Sequence, residues 1–169
     1  MHLIIDGYNL LHVSRSLIHL NAIQLQWERD RLIDQLSTYQ KLKPCGITVV
    51  FDGWQGGWNT EKRERKKGVD LIYSKLGEKA DEVIKRLVKG EGSGAVVITS
   101  DREVTRFAER MAIPVIPSEQ FQEKLEVSTD QLEEIFEEGE EEEKAFKKKG
   151  LSRRLSKKEK RAKAALRKL

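Results

Sequence analysis

One cysteine, Cys45, stands in a chain of 169 residues. A lone thiol excludes an internal disulfide framework and any zinc cluster built on cysteine. It precedes the apolar run ITVVF, which fits a buried, inert thiol better than a nucleophile. No apolar run approaches the roughly 18 residues of a membrane-spanning helix. The amino terminus, MHLIIDGYNLL, has no basic flank and is interrupted by Asp6, so it does not read as a signal peptide. Histidine is scarce: His2 precedes the first apolar run, and His12 and His19 read as surface or packing residues. Neither G-x-G-x-x-G nor a Walker loop is present and no D-x-D follows the first strand, which ranks a phosphotransferase or nucleotide-binding enzyme last. These absences together predict a soluble, cytoplasmic protein in a reducing compartment, without a membrane partner.

Charge, by contrast, is abundant at 36%, more than one compact domain usually carries. The net +4 conceals a segregation. Residues 1–130 hold nineteen basic and nineteen acidic groups. Residues 131–143 hold eight glutamates and no lysine or arginine, and residues 144–169 hold thirteen basic groups against Glu159. The basic character therefore belongs to the last segment, a candidate contact for nucleic acid or another polyanion. Leu151, Leu155, Ala162, Leu166 and Leu169 give that segment one narrow apolar stripe, with Ser156 and Glu159 as a capping box. The alternative is a solvated tail, disordered when alone. The division expected is a globular domain over 1–125, an acidic helix and linker over 126–143, and a basic amphipathic tail over 144–169.

The globular part alternates strand and helix. LII (3–5), ITVVF (47–51), VDLIYS (69–74), AVVIT (95–99) and IPVIP (113–117) read as buried strands, the last at an edge because of its two prolines. Helices are expected over 22–42, where Leu25, Leu32, Leu36 and Tyr39 recur at near-helical spacing. Others are expected from about Ala80, with Val83, Ile84, Leu87 and Val88, and around Val104–Met111. Pro44 and Gly46 stop the first of these. A further helix is expected over 121–136. The stretch 53–68 reads as a long polar, glycine-rich loop. The pattern predicts an α/β three-layer sandwich around a central, mostly parallel sheet of about five strands.

On that fold four aspartates fall at one edge. Asp6, Asp52 and Asp101 follow LII, VVF and VVITS, and Asp81 opens the helix beginning ADEVIKRLV. Ligands of doubly wound sheets bind outside the carboxyl ends of the strands. Carboxylates gathered there repel one another unless a cation or protons intervene, and oxygen-only ligands suit Mg²⁺ or Mn²⁺. Each aspartate has a plainer explanation. Asp6 and Asp52 precede glycine, a common turn pair. Ser100 and Glu103 form a capping box beside Asp101, and Asp81 favours a helix dipole. Those explanations predict no shared location, whereas a metal site requires one. Asn9 could bind a carboxylate, a metal-bound water or a phosphate; its alternative is a helix cap before Leu10. Thr99 and Ser100 are placed to orient Asp101 or a phosphate. Asp70 and Glu82 rank lower, one at the far edge and one turned elsewhere on the helix.

DGYN at the start, VVFDG, the KAD before an amphipathic helix, and VVITSD form an ordered set that resembles the NYN domain family, most closely its YacP-like branch, over roughly residues 1–125. The resemblance implies a PIN-like nuclease fold, an acidic pocket holding Mg²⁺ or Mn²⁺, single-stranded RNA as substrate and association with ribosomes. Residue by residue it implies Asp6, Asn9, Asp81 and Asp101 as catalytic groups, with Asp52 matching the second-strand position and joining Asp6, Asp81 and Asp101 as a metal ligand. The expected activity is a divalent-metal-dependent endoribonuclease. A catalytically weak RNA- or ribosome-binding module is the alternative. RNA contacts are expected from Lys62, Arg63, Arg65, Lys66 and Lys67, with Trp54 and Trp58 as stacking platforms, and secondarily from Lys75, Ser100 and Arg102. The competing reading of 53–68 is a solvated charged loop.

Overall fold

The computed structural model describes residues 1–14, 17, 19–53 and 59–131. The tryptophans at 54 and 58, the acidic linker beyond 131 and the basic tail lie outside the described residues.

Six strands form one mixed sheet in the order β3-β4-β2-β1-β5-β6. The strands are β1 (His2–Asp6), β2 (Gly46–Phe51), β3 (Lys62–Lys66), β4 (Val69–Tyr73), β5 (Ala95–Ile98) and β6 (Val115–Ile116). All pairs are parallel except β3 with β4. β1 and β2 are buried nearly throughout, as strands covered on both faces must be. β6 is two residues long and held between Pro114 and Pro117 at the edge, where the missing N–H groups cost no ladder bonds.

The sixth strand corrects the expected loop. KRERK has no apolar alternation to announce a strand. It is pinned instead by a two-residue connection to β4, in which Lys67 and Gly68 both take positive φ, 51° and 86°. Two such residues between paired strands are the geometry that a tight antiparallel hairpin needs.

Side chains alternate between the two faces of the sheet. Leu3, Ile5, Val49, Phe51, Leu71 and Ile98 pack on one side with α1 (Gly7–Ser14) and α2 (Ala22–Leu42), together with Phe121 and Leu125 of α5, helical over 118–131. Ile4, Val50, Ile72 and Val97 pack on the other with α3 (Ala80–Glu91) and α4 (Arg102–Arg110). The result is the expected three-layer α/β arrangement. The helix expected from 121 begins three residues earlier, and its part beyond 131 is outside the described residues. Among the described residues no helix is long and apolar enough to cross a membrane.

Candidate active site

The register puts the ends of three strands side by side. Asp6 pairs with Val50, and Ile5 with Ile98. The chain therefore leaves β1 at Asp6, β2 at Asp52 and β5 at Thr99 along a single edge. The fourth acid, Asp81, lies in the first turn of α3.

Asp6 passes directly from strand to helix. Its Oδ1 accepts the Asn9 N–H at 3.1 Å, and Thr99 Oγ1 donates to its Oδ2 at 3.4 Å. Neither Gly7 nor Gly53 takes the positive φ that favours glycine in tight turns, and Gly7 lies in the first turn of α1. The glycines serve close approach instead. A Cβ on Gly7 would stand 2.3 Å from the Phe51 ring, and one on Gly53 would stand 1.8 Å from the Ser74 carbonyl oxygen.

Asp52 Oδ1 accepts the Ala80 N–H at 2.7 Å and so anchors the start of α3. Asp101 is itself the cap of α4: its Oδ1 accepts from the Glu103 and Val104 N–H groups at 2.8 and 2.9 Å. That replaces the expected capping box, because Ser100 is used elsewhere. Its N–H donates to Asn9 Oδ1 at 2.8 Å and its hydroxyl donates to Glu119. Asn9 lies inside the first turn of α1 and caps nothing. Its Oδ1 also accepts from the Ser118 hydroxyl at 2.6 Å, so this one amide oxygen ties β1–α1 to both the β5–α4 turn and α5. Because Ser100 presents an N–H, the amide orientation is fixed, and only Nδ2 is left to face a ligand.

Electrostatics tie the four acids together. Burial pushes the Asp6 carboxyl up to about 6, and the charges of Asp81 and Asp52 add to that rise against the Asn9 hydrogen bond. Asp81 is raised by burial first and then by Asp101 and Asp52, while Lys85 opposes the rise. A carboxyl raised by neighbouring acids is what like charges near one another produce. Among the described residues no three His, Cys, Asp or Glu side chains are gathered closely enough to hold an ion as they stand. Asp6, Asp52 and Asp101 each commit an oxygen to a backbone N–H.

A family model, the YacP-like NYN domain, matches residues 3–168. The chain belongs to the YacP-like NYN family. It is 33% identical over 102 residues to the "Uncharacterized protein YacP" of Bacillus subtilis (strain 168), an alignment spanning 59% of each. The chain thus matches about three fifths of that relative's length. It is also similar to the crystal structure of Rae1 (YacP) from Bacillus subtilis, with a TM-score of 0.68 at 25% identity, covering 87% of this chain and 86% of that one. A tryptophan-to-leucine mutant of the same protein aligns with a TM-score of 0.66, also at 25% identity, over 79% and 80%. NYN domains are RNA-related and nuclease-like, and the fold is the PIN-like one that the resemblance implied.

Within this YacP-like NYN domain the basic candidates scatter. β3 runs away from the acidic edge: Lys62 lies level with Tyr73 at the carboxyl end of β4, and Lys66 with Val69 at the opposite end. The cations of β3 and of the turn after it are also engaged. Lys62 pairs with Glu64 at 2.5 Å, Arg63 with Glu61 at 2.7 Å, Arg65 with Asp70 at 3.7 Å, Lys66 with Asp30 at 3.8 Å, and Lys67 with Asp34. Only Lys62 of the five is placed near the acids. Lys75 and Arg102 are exposed just past β4 and at the start of α4. Arg102 and Arg106 line a groove with Thr99 and Ser100. His2 lies in β1 at the opposite edge, 2.8 Å from both Glu91 and Thr48.

Three side chains of the site carried no motif. Ser74 is fully buried; its hydroxyl accepts the Gly53 N–H at 3.0 Å and donates to the Glu78 carbonyl at 2.7 Å, holding the Asp52 turn. Lys85 lies one turn along α3 from Asp81 and binds Glu82 and Glu103, which joins the two acid-bearing helices. Arg29 is the third, and its signal was a charge inside the apolar stripe of α2.

Proposed function

We propose that the domain is a divalent-metal-dependent endoribonuclease acting on single-stranded RNA. The observation that carries this reading is three carboxylates at one sheet edge with Asp81 in the first turn of α3, two of the four raised by burial and by neighbouring acids. Such a donor set fits a hard divalent cation. It is all oxygen, and one oxygen each of Asp52 and Asp101 caps a helix while Asp81, in a first helical turn, is half-buried. Asp6, Asp52, Asp81 and Asp101 would hold Mg²⁺ or Mn²⁺. When bound, the ion supplies Lewis acidity toward a phosphate oxygen and lowers the pKa of an attacking water.

The chain's own groups do the rest. Thr99 and the Asn9 N–H fix the Asp6 carboxylate from both oxygens, so little reorganisation is needed when charge develops. Asn9 holds the Ser100 backbone and the start of α5 in register with β1. Lys85 offsets part of the negative charge at Asp81. His2, held at the far edge, offers no base to the acidic edge, so the products expected are a 5′-phosphate and a 3′-hydroxyl rather than a cyclic phosphate. The tail beyond Lys144 is the proposed contact for ribosomal or messenger RNA, on charge alone.

The experiment is incubation of end-labelled single-stranded RNA with the full chain, with and without Mn²⁺, beside Asp101→Asn. Cleavage that needs Mn²⁺ and disappears in the variant supports the reading. RNA binding without any cleavage replaces it with a binding module.

A further inference from the structure

Position 29 interrupts the buried stripe of α2. Leu25, Leu32, Ile33 and Leu36 face the core, and a residue four after Leu25 and three before Leu32 shares their face. There the chain carries arginine. Its guanidinium carbon lies 6.0 Å from the centre of the Phe51 ring and 5.9 Å from that of Tyr73. Its Nη1 donates to the Tyr8 hydroxyl at 3.4 Å. Its Nε is buried and, among the described residues, is the one buried side-chain nitrogen or oxygen without a hydrogen-bond partner. The neighbouring acids on α2 are occupied: Glu28 takes Arg31 at 3.7 Å, and Asp30 takes Lys66 at 3.8 Å and Gln26 at 3.1 Å.

Charges taken out of water are normally paired. Among the described residues Arg29 departs from that rule at its buried Nε. Aromatic faces compensate a guanidinium only in part. Its position explains what the missing partner is. Tyr8 lies two residues after Asp6, Phe51 immediately precedes Asp52, and Tyr73 precedes Ser74. The aromatic slot lies on the α2 face of the sheet, at the end where β1 and β2 run into Asp6 and Asp52. A cation there borders the acidic edge, and the ligand class that pairs with a guanidinium is a polyanion. A guanidinium offers paired N–H donors that match a phosphate.

We propose that Arg29 holds a backbone phosphate of single-stranded RNA beside the phosphodiester presented to the acids, with the Tyr8 hydroxyl setting the guanidinium plane. The assignment rests on reading the acidic edge as an RNA site.

The test measures binding without catalysis. Fluorescence anisotropy of a labelled single-stranded RNA of about 12 nucleotides, near the span that one single-strand-binding fold covers, is followed in EDTA across a salt series, with full-length wild type and Arg29→Met. Methionine keeps the stem packing between the rings and removes the charge. Loss of one charge-assisted contact should raise Kd about tenfold and make the slope of log K against log salt shallower by about 0.7. Arg29→Lys should restore the slope but not the full affinity, because a point charge replaces a fork. If Arg29→Met does not fold, Arg29→Gln must show the same shallower slope. A slope and Kd equal to wild type in the folded variant overturn the assignment. Cleavage with Mn²⁺ is scored separately. A slope change in a protein that never cleaves removes the nuclease reading and keeps Arg29, whereas cleavage with an unchanged slope does the reverse.

Discussion

Replacing Asp6 with asparagine should make the domain more stable while removing its proposed activity. Asp6 is 7% exposed, and its carboxyl is raised from 3.8 to about 6, chiefly by burial. Between those values the folded state keeps a proton that the unfolded chain has lost. Stability therefore falls as pH rises through that window, and the full cost is present above about pH 6. A shift of this size corresponds to about 3 kcal/mol, which is the ceiling on what Asp6→Asn can recover. The asparagine oxygen still accepts the Asn9 N–H, so the α1 anchor is kept. Urea unfolding in EDTA should show the variant more stable at about pH 7.5, with the difference shrinking toward zero below about pH 4. Added Mn²⁺ should stabilise wild type more than the variant, because a ligand that binds only the folded form adds stability with its concentration. A difference independent of pH, or a variant less stable than wild type above about pH 7, would refute the account of Asp6.

Gly53→Ala places a Cβ against the Ser74 carbonyl and should cost about 1–3 kcal/mol by overpacking, seen as a lower Tm. Asn9→Ala removes the acceptor shared by the Ser100 N–H and the buried Ser118 hydroxyl. It should cost about 1–3 kcal/mol in chemical denaturation and depress kcat more than KM in RNA cleavage. Deleting residues 144–169 should weaken RNA binding and flatten its salt dependence, while cleavage of a short RNA at saturation survives; coincident salt slopes for the two proteins would remove the tail as the contact.

How much of this was readable beforehand divides along physical lines. Strands such as ITVVF and AVVIT, and the helix carrying Val83, Ile84 and Val88, announce themselves because burial on a regular element writes a period into the sequence. Asp6, Asp52 and Asp101 could be assigned to one edge because each ends such a strand. β3 could not be seen that way: KRERK is held by its hairpin turn and its ion pairs, not by an apolar face. The partners of Asn9 were also hidden, since Ser100 and Ser118 are 91 and 109 residues away along the chain, and no local pattern encodes such a contact. Arg29 did leave a local trace, a charge at a stripe position.

The charged strand β3 has a consequence for how the molecule meets its own copies. An unpaired strand at a sheet border is a template onto which another chain can add. Here one border presents five consecutive charged residues and the other a two-residue strand between prolines. Growth of the sheet from either side would bury ammonium and guanidinium groups or meet positions with no N–H to offer. Edge-to-edge stacking into fibrils is thus resisted at both margins, a protective part that the charges of β3 play whatever else they touch.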